Sequence, residues 1–376
     1  MGRPQDGFNW GDFLRRPLRE AGVIRLSAAN AGKTILLTGA GGSIGSALAR
    51  AILASGPRLL LLLDHSEHNL HHIHTELAAI SGGAPSIPIL GDVCDDALLA
   101  NIFAAHRPDT VYHAAAFKHV PLMETNPLAA VRNNALGTYK LATAAIEHRL
   151  PHLTMVSTDK AVNPHSVMGA SKRIAELILL ALSHQGTQMR AVRLGNVLGS
   201  QGSVVPRFLQ QIVQGGPVTV THPEVSRYFL TLLESLEVIL QVASLEDGGG
   251  IFLPELGQPV KILDLAGYLI RNAGFVSPED VSIVFTGLRP GDKMKEDLIS
   301  ECETLDEVVG GKLHQVKGPE VRKDELEAAL ARIAESIRGR DVAALLEQVR
   351  RVVPEYQPSS AVLELLDSPL TGARQP

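Results

Sequence analysis

Short apolar runs alternate with longer helical segments from residue 33 onward. In six of these runs Leu, Ile and Val follow one another almost without polar interruption; they are residues 34–37, 59–63, 87–90, 110–112, 153–156 and 191–194. Strands that are apolar on both faces are typical of parallel sheets covered by helices on both sides. The pattern therefore predicts an α/β fold built on a doubly wound parallel sheet.

The local composition changes after Gly195, where Gly, Pro and Ser become frequent and the predicted secondary-structure elements are shorter. We therefore predict an arm over residues 1–32, a nucleotide-binding domain over 33–200, and a smaller substrate lobe over 201–320 with some segments returning to the sheet. Residues 321–376 would form C-terminal helices and a tail. Within them, the heptad-like spacing of residues 323–353 predicts a packing helix rather than a coiled coil.

Composition narrows the class of protein. The chain has 376 residues, a net charge of -5 and a pI near 6.3, so it lacks the basic field that nucleic acid would require. With only Cys94 and Cys302, a disulfide framework is not expected, which fits a reducing compartment. No apolar stretch approaches the roughly 20 residues of a membrane span. We expect a cytoplasmic protein with no membrane span and no nucleic-acid partner.

A glycine-rich loop, Thr38-Gly-Ala-Gly-Gly-Ser-Ile-Gly45, follows the first predicted strand and opens a helix. Glycine is needed where the backbone turns sharply and approaches a pyrophosphate, whose charge then lies at the helix N-terminus. Strand, loop and helix occur in the order of a dinucleotide site. The predicted cofactor-binding residues of this loop are Gly39, Gly42, Ser43, Ile44 and Gly45.

Acidic residues follow the second and third strands. Asp64, followed by His65 and Ser66, lies about 20 residues past the loop, where a carboxylate binds ribose hydroxyls and repels a 2′-phosphate. This favours NAD over NADP. Asp92, followed by Val93, is placed to meet the adenine amino group, although a helix N-cap explains it equally well.

Five histidines crowd the segment after Asp64. His68 and His72 have the i,i+4 spacing of a metal-ligating pair, but no zincin-type Glu accompanies them. A solvated helix face is the better interpretation, and no metal is predicted.

The segment from Ser157 to Lys172 carries candidate chemistry. It reads Ser-Thr-Asp-Lys-Ala-Val-Asn-Pro-His-Ser-Val-Met-Gly-Ala-Ser-Lys, with Met168 where a short-chain dehydrogenase has the Tyr of Tyr-x-x-x-Lys. Methionine cannot exchange a proton, so neighbouring groups must supply acid and base. Thr158, Asp159 and Lys160 are those neighbours, and Lys172 lies one helical turn beyond Met168.

With these motifs the sequence resembles the extended short-chain dehydrogenase/reductases, whose core is a Rossmann fold. More closely it resembles the bacterial UDP-N-acetylglucosamine 4,6-dehydratases of capsule, O-antigen and protein-glycan synthesis. The matching segments are residues 38–46, 64–67, 113–124, 157–172, 193–200, 216–222 and 286–292. Thr-Asp-Lys followed by Met-x-x-x-Lys resembles the subgroup that retains configuration at carbon 5.

Such a dehydration needs an acid and a base. Hydride transfer from carbon 4 to NAD makes a ketone that acidifies the carbon 5 proton, and the carbon 6 hydroxyl then leaves. Lys160 as base and Asp159 as acid form an adjacent pair whose charges would tune each other. The resemblance implies that Lys172 holds the nicotinamide ribose and that Thr158 contacts the carbon 4 hydroxyl. NAD, regenerated by hydride return to carbon 6, would stay bound.

Further positions are assigned to the cofactor, the sugar nucleotide and the scaffold. Ala114, Ala115 and Ala116 would let the backbone pass close to the cofactor, and Asn134 would brace neighbouring strands. Arginine is suited to the two phosphates of a UDP-sugar because its planar fork binds oxygens in pairs. The predicted substrate-binding residues are Lys118, His119, Asn196, Ser200, Gly202, Ser203, Arg227 and Arg289.

The chain departs from the family pattern at His165-Ser166, which replaces Thr-Asn, and at Asp292, which replaces Glu; the first could alter the sugar pocket. Many relatives carry a membrane-embedded N-terminal half, so we expect this chain to be a soluble short form and a homo-oligomer. Two classes of alternative remain. One is a 4-epimerase or a dehydratase for another nucleotide sugar, and the other is a catalytically silent NAD-binding regulator.

Overall fold

The computed structural model describes residues 7–19, 22–80, 84–183, 185–246, 248–274, 281–309 and 311–367. Parts of the predicted arm and tail, residues 1–6, 20–21 and 368–376, therefore lie outside the described residues.

The main sheet has nine strands. They are β1 (Thr34–Thr38), β2 (Leu59–Asp64), β3 (Ser86–Leu90), β4 (Thr110–His113), β5 (His152–Thr158), β6 (Gln188–Leu194), β11 (Gly250–Pro254), β14 (Thr304–Val309) and β15 (Leu313–Lys317). Their order across the sheet is β14-β15-β11-β6-β5-β4-β1-β2-β3. Strands β1 to β6 and β11 pair in parallel, whereas β14 and β15 are antiparallel additions. The six predicted strands and the doubly wound Rossmann order are confirmed. β11, β14 and β15 are segments of the 201–320 region that return to the sheet.

Helices cover both faces of this sheet and build the lobe. They are α1 (Trp10–Leu14), α2 (Val23–Ser27), α3 (Ser43–Ala54), α4 (Glu67–Ala78), α5 (Asp96–His106), α6 (Val120–Glu124), α7 (Pro127–Val131), α8 (Gly137–Glu147), α9 (Val167–Leu182), α10 (Val204–Val213), α11 (Leu232–Ala243), α12 (Ile262–Asn272), α13 (Lys323–Arg338), α14 (Val342–Val352) and α15 (Ser360–Asp367). A π-helix (Arg132–Leu136) precedes α8, and a 3₁₀ turn (Asp159–Ala161) follows β5.

Two sequence predictions about these elements are wrong in detail. The run at residues 87–90 is not covered on both faces: in the part of the chain that the structure describes, β3 pairs with β2 alone at the sheet edge, and Leu90 is 57% exposed. The predicted helix over residues 323–353 is two helices, because the chain turns between Arg338 and Val342, where Asp341 caps α14. Both helices pack against α9, the role expected of the single helix.

The lobe has its own small core, centred on α10, α12 and a short strand pair. Its minor strands are β7 (Asn196–Val197), β8 (Val218–Val220), β9 (Ser226–Arg227), β10 (Phe229–Leu230), β12 (Val260–Lys261) and β13 (Ile283–Phe285). Buried Phe208, Leu265 and Leu269 fill this core. The N-terminal arm packs on its surface, where the Phe13 ring lies 4.7 Å from that of Tyr268. The lobe and the sheet thus have separate apolar cores.

Within the described part of the chain, no helix is both long and apolar enough to cross a membrane.

Candidate active site

The candidate site lies beyond the carboxyl ends of β1, β2, β4 and β5. In an open parallel sheet, the loops after these ends form the crevice in which ligands bind. The glycine-rich loop follows β1, Asp64 ends β2, and Thr158 ends β5. The topology therefore brings together three segments that are far apart in the sequence.

The glycine-rich loop is packed too closely for side chains at two positions. A Cβ on Gly45 would lie 2.0 Å from the carbonyl oxygen of Gly39, and one on Gly39, whose φ is +68°, would lie 2.5 Å from the Ala115 nitrogen. Gly42 is the N-cap of α3 and offers no side chain to the first N–H groups of the helix. These groups are left for an anion, so the loop fits the pyrophosphate of a dinucleotide.

Replacing Gly45 by Ala tests this fit. The added methyl would displace the Gly39 carbonyl, and we expect NAD affinity to fall roughly tenfold or more, equivalent to about 1.4 kcal/mol or above. Gly339→Ala is the matched control, because its Cβ would meet nothing closer than 3.5 Å. Calorimetric titration with NAD measures both variants, and an unchanged affinity for Gly45→Ala would contradict the assignment.

Asp64 organises the chain around this loop. Its Oδ2 accepts a hydrogen bond from the Gly41 nitrogen at 2.8 Å, and its Oδ1 accepts one from the Ser66 nitrogen at 2.8 Å. Ser66 is the N-cap of α4, and the His65 ring packs edge-on against Phe117, with the ring centroids 5.7 Å apart. The carboxylate is 7% exposed, and each of its oxygens keeps acceptor capacity for a ribose hydroxyl.

Asp92 has a partner that the sequence did not indicate. Its Oδ2 accepts a hydrogen bond from Arg132 at 2.8 Å, and its Oδ1 accepts one from the Cys94 nitrogen at 2.8 Å. The alternative that Asp92 caps the next helix is wrong, because α5 is capped by Asp95. Burial of Cys94, reinforced by the nearby Asp92 charge, raises the pKa of the thiol to about 12, which disfavours the reactive thiolate. Val93 is buried beside Gly137.

Thr158, Asp159 and Lys160 form a continuous hydrogen-bonded chain at the end of β5. The Thr158 hydroxyl donates to Asp159 Oδ1 at 3.0 Å, and Lys160 Nζ donates to the same oxygen at 2.9 Å. Asp159 is fully buried, and its Oδ2 has no hydrogen-bond partner among the described residues. Burial favours the neutral amine of Lys160, but the carboxylates of Asp159 and Glu296 outweigh it and raise its pKa. Lys160 therefore rests as an ammonium ion.

Two further groups reach Lys160. Its Nζ donates to Asn196 Oδ1 at 2.8 Å and lies 3.7 Å from Glu296 Oε1. Asn196 was predicted as a substrate ligand, whereas Glu296 was not predicted. Arg227 completes this group: its Nε lies 3.4 Å from Glu296, and its Nη atoms donate to the carbonyls of Ser226, Lys293 and Met294. Arg227 thus binds internal groups, and its predicted phosphate contact stays a prediction.

Helix α9 presents Met168 and Lys172 beside this chain. Both are buried, at 3% and 4% exposure, and burial lowers the pKa of Lys172 to about 8. The first turn is capped twice: Ser166 Oγ accepts from the Gly169 nitrogen at 3.1 Å, and Glu124 Oε1 accepts from the Val167 nitrogen at 2.7 Å. Ser166, one of the departures from the family pattern, is therefore structural.

The rim of the crevice is closed by residues 200–203. Lys118 Nζ donates to the Gln201 carbonyl at 2.7 Å and lies 3.5 Å from Ser200 Oγ, while the Gln201 nitrogen donates to Ser43 Oγ at 2.8 Å. The His119 ring lies against Gly202, whose Cβ would meet it at 2.7 Å. Burial lowers the pKa values of Lys118 and His119. Ser203 Oγ is buried and has no partner within the described ranges.

Asn134 braces the site through side-chain to backbone bonds, as predicted, but it joins a loop to a helix rather than two strands. Its Oδ1 accepts from the Phe117 nitrogen at 2.8 Å, and its Nδ2 donates to the Phe117 carbonyl at 3.0 Å and to Ser171 Oγ at 2.9 Å. It therefore ties the loop after β4 to α9. Ala114 and Ala116, on the same loop as Ala115, are half-buried beside the glycine-rich loop.

Arg289 stands at the outer end of the site. Its Nε donates to Asp292 Oδ2 at 2.9 Å, and its side chain is 47% exposed. It lines a cavity of about 350 Å³ with His165, Ser359 and Ser360. Of the two arginines predicted to bind phosphate, Arg289 is the one whose side chain remains accessible to solvent.

The histidines after Asp64 form no cluster. His68, His71 and His72 lie on the exposed face of α4, as a solvated helix face requires. In the ranges covered by the structure, no three His, Cys, Asp or Glu side chains are arranged to hold a metal ion.

Comparison with known proteins identifies the family. The model of the polysaccharide biosynthesis protein family matches residues 35–317. The chain belongs to this family. It is therefore in the polysaccharide-biosynthesis branch of the extended short-chain dehydrogenase/reductases, as the motifs predicted.

Curated relatives differ in the activity that they are named for. The chain is 45% identical over 319 residues to the capsular polysaccharide biosynthesis protein CapD of Staphylococcus aureus, covering 84% of this chain but 53% of that protein. It is 32% identical over 279 residues to the inverting UDP-N-acetylglucosamine 4,6-dehydratase of Campylobacter jejuni, covering 73% and 79%. The UDP-glucose 4-epimerase of Rickettsia rickettsii is also 32% identical, with 72% and 79% covered. The family is thus one of nucleotide-sugar dehydratases and epimerases.

Solved structures share the fold. Pen from Bacillus thuringiensis superposes with a TM-score of 0.72 at 27% identity, covering 78% of this chain and 90% of that one. The dTDP-glucose 4,6-dehydratase DesIV from Streptomyces venezuelae, solved with NAD bound, gives 0.61 at 22% identity, covering 70% and 88%. The second likeness supports the fold alone.

Proposed function

We propose that this protein is an NAD-dependent dehydratase that converts UDP-N-acetylglucosamine to a UDP-4-keto-6-deoxy sugar with retention at carbon 5. The observation that carries the proposal is the hydrogen-bonded chain Thr158–Asp159–Lys160 beside buried Met168. These residues supply the acid and the base that an elimination requires, and the position usually held by tyrosine is a methionine, which exchanges no proton. Bound NAD would accept the hydride from carbon 4 and return it to carbon 6. The relative named as a 4,6-dehydratase supports this reaction class.

The residues divide the proton transfers among them. The Thr158 hydroxyl contacts the carbon 4 hydroxyl of the sugar. It relays the proton of that hydroxyl to Asp159 along their 3.0 Å hydrogen bond. Asp159, now neutral, is the acid that protonates the departing carbon 6 hydroxyl. Lys160 has then lost its main ion-pair partner. Because its side chain is 21% exposed, it releases its proton to solvent, and the neutral amine then takes the carbon 5 proton. Two protons leave the sugar and two return, one in the departing water and one at carbon 5, and Lys160 finally regains from solvent the proton that it released.

Other side chains bind rather than react. Asp64 would bind the adenosine ribose, which favours NAD over NADP, and Asp92 would meet the adenine amino group. Charged Lys172 would hold the nicotinamide ribose. Arg289 is the accessible cation for the UDP phosphates, with Lys118 and His119 at the mouth of the site. We further propose a homo-oligomer in the cytoplasm, as the family resemblance implies.

The decisive experiment is incubation with UDP-N-acetylglucosamine in deuterated water, followed by mass spectrometry and proton NMR. The proposal expects loss of water, deuterium at carbon 5 and an unchanged configuration there. Inverted carbon 5 would contradict only the stereochemistry. Epimerised sugar without water loss would support the 4-epimerase alternative, which the Rickettsia relative represents by name. No conversion of this sugar, UDP-glucose or UDP-N-acetylgalactosamine, with NAD still bound, would favour a silent regulator.

A further inference from the structure

Residues 199–203, which we call the lid segment, lie between β7 and α10 at the rim of the crevice. A glycine with positive φ stands on each side of Gln201: Gly199 has a φ of +70° and Gly202 a φ of +69°. Glycine adopts this left-handed region without the steric cost that other residues carry. The lid segment therefore has a position suited to a hinge before and after Gln201, a residue that the sequence did not mark as functional.

Both backbone groups of Gln201 are bonded to the walls of the crevice. Its nitrogen donates to Ser43 Oγ at 2.8 Å, and its carbonyl accepts from Lys118 Nζ at 2.7 Å. Ser43 is the first residue of α3, where the glycine-rich loop leaves N–H groups for a pyrophosphate. The lid segment is thus fixed beside the position proposed for the cofactor phosphates.

These two bonds are compatible with a bound cofactor. The Ser43 hydroxyl accepts from Gln201 and keeps its own proton, which it can donate to a phosphate oxygen. Lys118 Nζ also lies 3.5 Å from Ser200 Oγ, so its amine is directed at the lid segment. An amine donates to a carbonyl in its charged and in its neutral form, and the bond therefore does not depend on the protonation of Lys118.

We propose that residues 199–203 are a lid over bound NAD and that Lys118 is the positioning residue that latches it. This inference rests on the cofactor assignment within the proposed function. A reaction that returns its hydride to its own product regenerates NAD in every turnover, so the site has no need to release it. The latch joins protein groups to one another. Loosening it should therefore open the site for entry and for release alike.

The first test measures how fast cofactor enters and leaves in the absence of sugar nucleotide. Mixing NADH with the protein gives the entry rate, and displacement of bound NADH by excess NAD gives the release rate, both followed by NADH fluorescence. Lys118→Met keeps the apolar stem and removes the donor. We expect both rates to rise about three- to tenfold, the effect of one lost hydrogen bond. Because they rise together, the dissociation constant of NADH should stay within about threefold of the wild-type value.

Lys323→Met is the matched control, because it removes the same charge from the surface of α13, where Lys323 lies 3.8 Å from Glu327. Its entry and release rates should equal those of the wild type. Lys118→Arg keeps a donor and the charge, so its increases should be smaller than those of Lys118→Met. Faster release with unchanged or slower entry in Lys118→Met would mean that Lys118 binds the cofactor directly, and would overturn the latch.

The second test loosens the lid without changing Lys118. Gly202→Ala strains the closed lid, because the residue has positive φ and its Cβ would lie 2.7 Å from the His119 ring. We expect both NADH rates to rise in this variant too. Hydrogen exchange in the peptide over residues 198–204 should be faster than in the wild type in both variants. Unaltered exchange and unaltered rates overturn the lid, and either variant decides the matter if the other does not fold.

The outcomes separate the lid from the proposed reaction. If the wild type binds NADH but performs no dehydration, raised rates in Lys118→Met and Gly202→Ala support the lid while the proposed reaction fails. If the wild type performs the dehydration and neither variant changes the rates, the lid fails alone. A wild type that binds neither NADH nor NAD overturns the cofactor assignment and the lid with it.

Discussion

We expect Asp159→Asn to reduce the dehydration rate by about 10² to 10⁴-fold, the usual contribution of a positioned acid or base. Asparagine has the same shape and can still accept from Thr158 and Lys160 through its carbonyl. It cannot carry a proton from the carbon 4 hydroxyl to the departing carbon 6 hydroxyl. The measurement is the rate of product formation from UDP-N-acetylglucosamine, alongside NAD affinity, which should not change because Asp159 is not among the residues assigned to the cofactor.

The control for this variant is Asp96→Asn, which removes an exposed carboxylate that pairs with Lys140. Surface ion pairs contribute about 0–1 kcal/mol, so its rate and stability should remain those of the wild type. Thermal unfolding of both variants excludes a folding defect as the cause of lost activity. If folded, NAD-binding Asp159→Asn keeps more than a tenth of the wild-type rate, Asp159 is not the acid.

The sequence was most informative where local patterns determine local structure. A loop with glycines at 39, 42 and 45 after an apolar strand can be recognised because its steric demands are local. The pairing of Asp159 with Lys160 was likewise predictable, since the two residues are adjacent. The full surroundings of Lys160 were not predictable, because Glu296, which adds to the effect of Asp159 in raising the pKa of Lys160, is brought near only by the tertiary fold.

Arg227 is a residue whose partners the sequence did not predict. Its sequence context suggested a phosphate ligand, yet its guanidinium donates to three backbone carbonyls and lies against Glu296. A guanidinium has five N–H donors and bonds whatever acceptors the fold offers, and sequence alone does not say which. Asp92 is similar: its partner Arg132 lies on the π-helix, an element without a clear pattern in the sequence.

The position of β3 at the edge of the sheet was also unpredictable, because it too depends on the tertiary fold. Residues 87–90 are as apolar as the central runs, but the order of strands in a sheet is a long-range property. Helical periodicity also continued across Gly339 and Arg340, although the chain turns there between α13 and α14. Periodicity reports which residues face the core, and both helices do face α9, so the pattern was correct about burial and wrong about continuity.

Behind the site lies a buried ionic cluster that fixes α9 against β6. Glu176 on α9 accepts from Arg193 at 2.8 Å, from Arg173 at 3.0 Å and from Ser157 at 2.7 Å. Glu303 accepts from Arg193 at 2.8 Å, and Arg193 is fully buried. Such a buried cluster is stable only when each charge is paired, because a buried charge without a partner is costly in free energy. The helix that presents Met168 and Lys172 depends on it.

We expect Glu176→Gln to destabilise the protein by about 3–5 kcal/mol, because it removes one of the two buried carboxylates that Arg173 and Arg193 share and leaves them to Glu303 and the more exposed Glu355. Glu347→Gln, which removes an exposed partner of Arg351, should cost less than about 1 kcal/mol. Denaturant unfolding followed by circular dichroism measures both. A loss in Glu176→Gln no larger than that in Glu347→Gln would mean that the cluster contributes nothing beyond a surface pair.

The same cluster predicts the direction of acid sensitivity. Burial alone would raise the pKa of Glu303, but the arginines outweigh it and lower the pKa from 4.5 to about 2; they also lower the pKa of Glu176. A carboxyl whose folded pKa lies below its unfolded value stabilises the fold fully above the unfolded value. This stability is lost as pH falls from about 4.5 towards 2. Glu176→Gln removes one of the two carboxylates, so its unfolding free energy should depend less steeply on pH across that window than the wild type's.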